Sequence, residues 1–351
     1  MRRRPLAVLA LTLSAVLVAG TSPAGALPAP RLPSWRLVDP GVASHFRGLA
    51  AVSRTVAWLG GYTGTVLRTV DGGRTWSNVS PAGAETLQFR DISASDANHA
   101  VAMAAGAGSD SRLYSTSDGG RTWSLAYQNT DPAAFFDCMS FYDRRHGLVL
   151  SDPVDGRFRI LATGDAGRTW QVLPNGGMPA AADGEFGFAA SGECLTTFGR
   201  DAWFGSGGST ESHIYHSRDG GLTWSVVTTP VVSGPSAGVF GLAFRSPVEG
   251  VAVGGDFAAP AASDAVAATS THRGAWRLSG SMPGGYRSGV TFVPRRPGEV
   301  LAVGLTGSDV SFDAGRTWTS FDTGQFDTVA CAPDGACWAS GDLGRVAVLQ
   351  R

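Results

Sequence analysis

The sequence predicts an all-β fold, a seven-bladed β-propeller of four-stranded antiparallel blades, and three periodic series in it predict this. The first is a turn motif, S/T-x-D-x-G-x-T-W. It recurs with Asp71 and Trp76, Asp118 and Trp123, Asp165 and Trp170, Asp219 and Trp224, and Asp313 and Trp318. A degraded copy ends at Trp276, where residues 271–274 have lost the Asp, and a lone Trp35 precedes them all. These seven Trp are 41, 47, 47, 54, 52 and 42 residues apart. A period of roughly 40–50 residues fits one four-stranded blade.

The second series is an alternating strand, as in Phe46-Arg47-Gly48-Leu49, Phe89-Arg90-Asp91-Ile92 and Phe136-Asp137-Cys138-Met139. The third is a short apolar run that often ends in Gly, as in Ala57-Trp58-Leu59-Gly60 and Val251-Ala252-Val253-Gly254. Period-2 alternation broken by regular turns argues for short antiparallel strands and against helices. Each unit therefore reads strand A, strand B, strand C, motif turn, strand D. The last unit stops after strand C, and the stretch around Trp35 is a strand D without a blade. Pairing the two closes the ring and removes both open edges.

Composition agrees. The 351 residues include 48 Gly, about double the usual share of about 7%, as many tight turns require. All 28 basic residues are Arg, so lysine chemistry is excluded. A net charge of −1 gives no sign of nucleic-acid binding, which usually shows a basic domain.

The domain reading is a signal peptide over 1–26 and the propeller over 27–351. Arg2, Arg3 and Arg4 form the charged start, 6–19 the apolar stretch, and Ala24-Gly25-Ala26 a cleavage site. The apolar stretch is short of the about 20 residues a membrane span needs. Thr21 stands where a lipoprotein would carry Cys. The expectation is a soluble monomer, secreted or periplasmic, without membrane insertion after cleavage; an uncleaved anchor is the alternative.

The five motifs resemble the Asp-box, or BNR, repeat of sialidases, sortilin-type receptors and xyloglucan hydrolases. The whole chain, including residues 141–158, is similar to the photosystem-II stability and assembly factor-like group of bacterial exported proteins (WD40/YVTN/BNR-like repeats). That resemblance implies a fold-stabilising role for the boxes and a protein-binding role for the propeller. Related assembly factors use an Arg-rich patch, and Arg47 and Arg90 are the neighbouring strand-A arginines that echo it; Asp137 and Glu193 dilute the pattern.

The residues support the structural role independently. An Asp before Gly in a tight turn accepts backbone N–H groups, and Gly supplies positive φ. Copies on separate blades cannot converge on one substrate. Ligand faces of propellers are built from the D–A and B–C loops. The predicted binding face therefore carries Arg47, Arg90, Asp137, Asp152, Asp155, Arg157, Glu193, Asp256, Arg287, Asp327 and Asp342. The plain alternative is a solvated rim of local ion pairs, each worth little.

Catalysis finds weak support. A glycosidase needs two carboxylates roughly 5–10 Å apart, and Asp137 with Asp152 is the best pair by sequence. Sialidase chemistry is disfavoured, because Arg159-Ile160 is followed by Leu161 where Pro is required. No metal site and no cofactor are expected: the His residues are scattered, and no Cys-x-x-Cys or dinucleotide fingerprint occurs. Four cysteines in an exported chain suggest two disulfides. Cys331–Cys337 would staple a hairpin of blade 7, and Cys138–Cys194 would bridge the strand-A columns of blades 3 and 4.

The function expected is a non-catalytic scaffold or assembly factor that binds a protein in the envelope or extracellular space. The alternative is a carbohydrate-binding or glycoside-hydrolysing propeller, with Tyr62, Phe158, Phe257 and Tyr286 as sugar-stacking aromatics.

Overall fold

The computed structural model describes residues 31–270 and 274–351; the predicted signal peptide and the degraded box at 271–273 lie outside them. Seven four-stranded antiparallel sheets follow one another in a ring. Blade 1 holds strand A Phe46–Ala51, B Ala57–Gly61, C Val66–Thr69 and D Ser77–Asn78. Blades 2 to 6 repeat this order, with strands A at Phe89–Ala94, Phe136–Phe141, Leu195–Phe198, Ala237–Ser246 and Gly289–Phe292. Blade 7 takes Thr328–Cys331, Cys337–Ser340 and Val346–Gln350 from the end of the chain, and Ser34–Val38 from its start. Ser34 pairs with Gln350 and Val38 with Val346, so the expected closure is present.

The core is divided among the blade junctions. Trp58, Phe89 and Ile92 pack between blades 1 and 2. Val101, Phe136 and Trp170 fill the next junction. The series continues around the ring until Phe46, Leu59, Trp338 and Val346 join blade 7 to blade 1. The motif tryptophans belong to these junctions. Trp76 meets Trp338 edge-on at 6.1 Å, and Trp123 meets Trp58 at 6.3 Å. An aromatic ring at each junction hides a large apolar area.

Each box is a closed hydrogen-bond circuit. The Asp Oδ1 accepts the N–H of the Thr four residues on, at 2.8–3.0 Å in all five copies. The same Thr hydroxyl donates to Oδ2 at 2.6–2.8 Å. The Ser or Thr two residues before the Asp accepts the N–H of the Gly two residues after it, at 2.8–3.1 Å. The Thr75 bonds hold the Asp71 carboxyl at about 2. A carboxylate held low stabilises the fold above its ordinary range and loses that contribution as pH falls below about 4.

Asp313→Ala removes both bonds from Thr317 and the one from the Ser311 hydroxyl, and should cost about 1–2 kcal/mol. Because the boxes stand on separate blades, Asp165→Ala with Asp313→Ala should be additive. Urea unfolding of the two single variants and the double variant checks both statements; strong non-additivity would sink the local role.

Candidate binding site at the channel mouth

Strands A line the central channel, and the D–A and B–C loops surround one end of it. There Tyr62, from the B–C turn of blade 1, acts as a platform. His45 stacks on it at 4.8 Å, with the ring planes 27° apart. The guanidinium of Arg47 lies 5.7 Å from its ring centre and that of Arg90 lies 5.5 Å away. Cations over an aromatic face are attracted by its quadrupole. Arg90 is further held by Gln88 Oε1, to which it donates at 2.6 and 3.0 Å, and burial lowers its pKa. Asp327 sits below, 2.9 Å from His45 Nε2 and 3.5 Å from Arg47 Nε, while Asp342 lies 3.6 Å from His45 Nδ1.

The mouth is crossed by a segment that has no counterpart on the other blades. The long D–A connection between blades 3 and 4 spans residues 173–194, and its last part, 186–193, runs over the channel. Gly187 N–H donates to Asp152 Oδ1 at 2.9 Å. Arg47 and Arg90 each reach the carbonyl of Ala189 at 3.4 Å. The Ser191 hydroxyl donates to the Ser288 carbonyl at 2.7 Å. Phe188 stacks on Phe240 at 3.7 Å and joins Ala190 and Tyr286 in a small apolar cluster. Glu193 then spans the channel, accepting Val290 N–H at 3.1 Å, Thr328 Oγ1 at 3.0 Å and Val329 N–H at 3.2 Å. Below the segment the channel forms an open pocket of about 420 Å³, lined by strand-A residues such as Ile92, Met139, Leu242 and Val329.

Two contacts show how closely the segment is fitted. A Cβ on Gly187 would lie 2.7 Å from Asp137 Oδ2. Gly192 has φ +79°, and a Cβ there would come within 2.6 Å of Asp91 Oδ1. Only glycine meets both the conformation and the space at Gly192.

The sequence-predicted face is therefore corrected in several places. Arg287, expected on the face, is fully buried and paired with Asp309 of its own blade. Asp137 and Asp327, only 1% and 5% exposed, are also removed from the surface. Glu193 points across the channel and ties blade 4 to blades 6 and 7. Asp137 and Asp152 do come together, but beneath Gly187. Burial and the neighbouring Asp152 raise the Asp137 carboxyl well above its usual range, against the pull of Arg90. Burial lifts Asp152 to about 6, against the Gly187 bond. Arg157 is spent on the carbonyl of Met178. Asp256 caps its own turn, accepting Ser236 Oγ at 2.7 Å and Ala258 N–H at 2.8 Å. Asp155, at φ +55° in its turn, and Asp342 are exposed.

Of the aromatic candidates, Phe158 and Tyr286 are buried in blade packing, Tyr62 is half-buried, and Phe257 is 47% exposed. Both expected disulfides are present, Cys138–Cys194 with Cα atoms 5.9 Å apart and Cys331–Cys337 at 4.0 Å. The first anchors the C-terminal end of the crossing segment. The sequence reading missed Gln88, Asp91 and the segment itself. Asp91 alone carried a signal, because it follows Arg90 in an alternating strand and so faces the opposite way.

The class defined so far is a seven-bladed propeller whose channel mouth carries arginines and carboxylates around an aromatic ring, under an internal strap. No protein-family model and no curated protein matches the chain. Solved structures of similar fold are YCF48 bound to D1 peptide (17% identity, 92% of this chain and 99% of that one, TM-score 0.64) and YCF48 from Cyanidioschyzon merolae (16%, 90% and 98%, 0.61). U3-55K is another (11%, 90% and 98%, 0.61). At these identities the likeness is one of fold.

Proposed function

We propose that this chain is an exported, non-catalytic propeller that binds a protein partner at the channel mouth and serves as a scaffold or assembly factor in the cell envelope. The observation that carries the reading is the pair Arg47 and Arg90, stacked on Tyr62 and turned toward a backbone carbonyl. Two guanidiniums with donors directed at a peptide carbonyl suit an extended chain or an acidic side chain of a partner. The similar fold of YCF48, a protein whose structure holds a D1 peptide, supports a peptide partner. Two disulfides agree with an oxidising compartment. The glycoside-hydrolysing alternative rested on Asp137 and Asp152, and Gly187 covers that pair.

Crosslinking capture tests the reading, with mature protein as bait and envelope extract of the host as prey. A specific protein should be recovered, and Arg47→Glu with Arg90→Glu should reduce its yield at least tenfold. Capture that survives both charge reversals would remove the mouth as the interface, and an empty capture followed by a positive glycan array would favour the carbohydrate reading.

A further inference from the structure

Every carboxyl group held above its ordinary range among the described residues lies against the crossing segment. Asp91 lies against Gly192, with its Oδ2 accepting Met139 N–H at 2.6 Å. Asp137 lies against Gly187, and its Oδ2 has no hydrogen-bond partner. Asp152 accepts the Gly187 N–H. Glu193 is the last residue of the segment and hangs it from blades 6 and 7. Among the described residues the cations near these carboxyl groups are Arg47 and Arg90. Arg47 is matched by Asp327, and both give a hydrogen bond to Ala189 rather than to a carboxylate of the four. The remaining charged neighbours are already paired, Arg287 with Asp309 and His45 with Asp327 and Asp342. The Tyr286 hydroxyl is held protonated by burial.

The other end of the segment is fastened in a related way. The buried Glu185 accepts Ala182 N–H at 2.7 Å, the Ser206 hydroxyl at 2.5 Å and Tyr215 OH at 3.1 Å, and pairs with His213 Nδ1 at 2.9 Å. Glu211 stands 3.9 Å from the far nitrogen of that His.

We propose that residues 186–193 form a proton-controlled strap over the channel, seated while the carboxyl groups beneath it carry protons and loosened as they ionise, so that Arg47 and Arg90 are freed from Ala189 as pH rises. The last clause rests on the reading of the mouth as the partner site; the strap itself does not. The physical reason is that several unpaired negative charges cannot share a buried site without cost, and moving the strap lets water reach them.

The direction of the effect is the same at both ends of the strap. Burial pushes Asp91 up to about 8 and holds Asp137 and Glu193 well above their usual range. A carboxyl held high in the closed state favours that state at low pH and ceases to do so as pH rises from about 4 toward its closed-state value. The bond to Glu185 raises His213, so its contribution is complete below about 6.5 and is lost as pH rises through the higher closed-state value. Burial pushes Glu185 up, but its bonds to His213, Ser206 and Ala182 outweigh this and hold it low, so it opposes the others only in strong acid. The disulfide at Cys194 makes the movement a hinged one.

Hydrogen exchange tests this on the intact protein. Protection factors, corrected for the intrinsic pH dependence of exchange, should fall at least tenfold between pH 6 and pH 9 for amides 187–193. Those of strand B of blade 2, Ala100–Ala104, should not change. In Asp91→Asn with Glu193→Gln, which keeps the shapes and removes the titration of two of the four carboxyl groups, the strap should retain at least tenfold more protection than wild type at pH 9. A flat wild-type profile overturns the proposal, as does a double variant that opens like the wild type. If the double variant does not fold, Asp91→Asn alone should retain at least threefold more protection than wild type at pH 9, and equality with wild type overturns the assignment. Exchange needs no partner, so an empty capture experiment with an intact exchange transition removes the partner site and leaves the strap.

Discussion

Arg287→Ala should destabilise the protein by about 3–5 kcal/mol, more than any change to a single box. The side chain is fully buried and its Nε donates to Asp309 Oδ2 at 2.6 Å, while Nη1 donates to Thr306 Oγ1 at 2.7 Å and the carbonyl of Tyr286 at 2.8 Å. Removing the cation leaves Asp309, itself 1% exposed, as a carboxylate whose remaining donor is the weak contact from Gly284 N–H at 3.3 Å. The cost is that of an unmatched buried charge. It follows that Arg287→Met with Asp309→Leu should recover most of the loss, because a buried pair is often replaceable by apolar groups of similar volume. It also follows that the single variant suffers less in acid. Protonation relieves a buried carboxylate that has lost its cation, so the penalty shrinks in acid and grows as pH rises. Urea unfolding at pH 4.5 and pH 7.5 measures both effects. A double variant no better than the single would show that the pair is needed for its shape and not for its neutrality.

Loss of the closing strand should have the next largest effect. Ser34–Val38 completes blade 7, and Trp35 carries most of the packing, with ring centres 5.5 Å from Phe326 and 5.9 Å from Phe321 and its indole N–H on Ser308 Oγ at 2.9 Å. Trp35→Ala should cost about 3 kcal/mol. Deleting residues 27–38 should do more than weaken the fold. It leaves Val346–Gln350 as an open edge with unpaired N–H and C=O groups, ready to pair with a second molecule. Light scattering after size exclusion should therefore show stronger concentration-dependent association of the truncated protein than of the full chain. A truncated protein that stays monomeric and as stable as the parent would mean that closure is ornamental.

The fold was legible because its signals are local and repeated. The Trp series and the alternating strands each occur once per blade, with intact boxes on five of the seven, so a single misread copy could not change the count. Even the closure could be read, since the repeat is out of phase with the ends of the chain. The site was legible only in part, and for a physical reason. Arg47 and Arg90 belong to the repeating strand A, so the period placed them at the channel. Arg287 occupies the same column, yet it turns inward, because Asp309 on strand C of its own blade offers a buried partner that no sequence spacing reveals. Glu193 was read as a face residue for the same reason, whereas its acceptors' donors lie on blades 6 and 7, far along the chain. Residues 173–191 have no period at all, and their glycines and small residues resemble an ordinary loop. What the segment does depends on its crossing the channel, a fact of three dimensions alone.

Closure of the ring also orders events in time. The strand that locks blade 7 leaves the ribosome before the other strands of the ring, yet its partner leaves after them. Until then the growing chain holds an arc of finished blades with a bare junction at each end, where Phe46, Leu59 and Leu67 wait for Trp338 and Val346. Each blade can form as its own meander, from neighbours in sequence, but the final step joins the two most distant parts of the chain and is the slow one. During that interval the molecule is most exposed to wrong pairing with its neighbours. A protein of this design is safest when its chains are kept apart from one another until synthesis is complete.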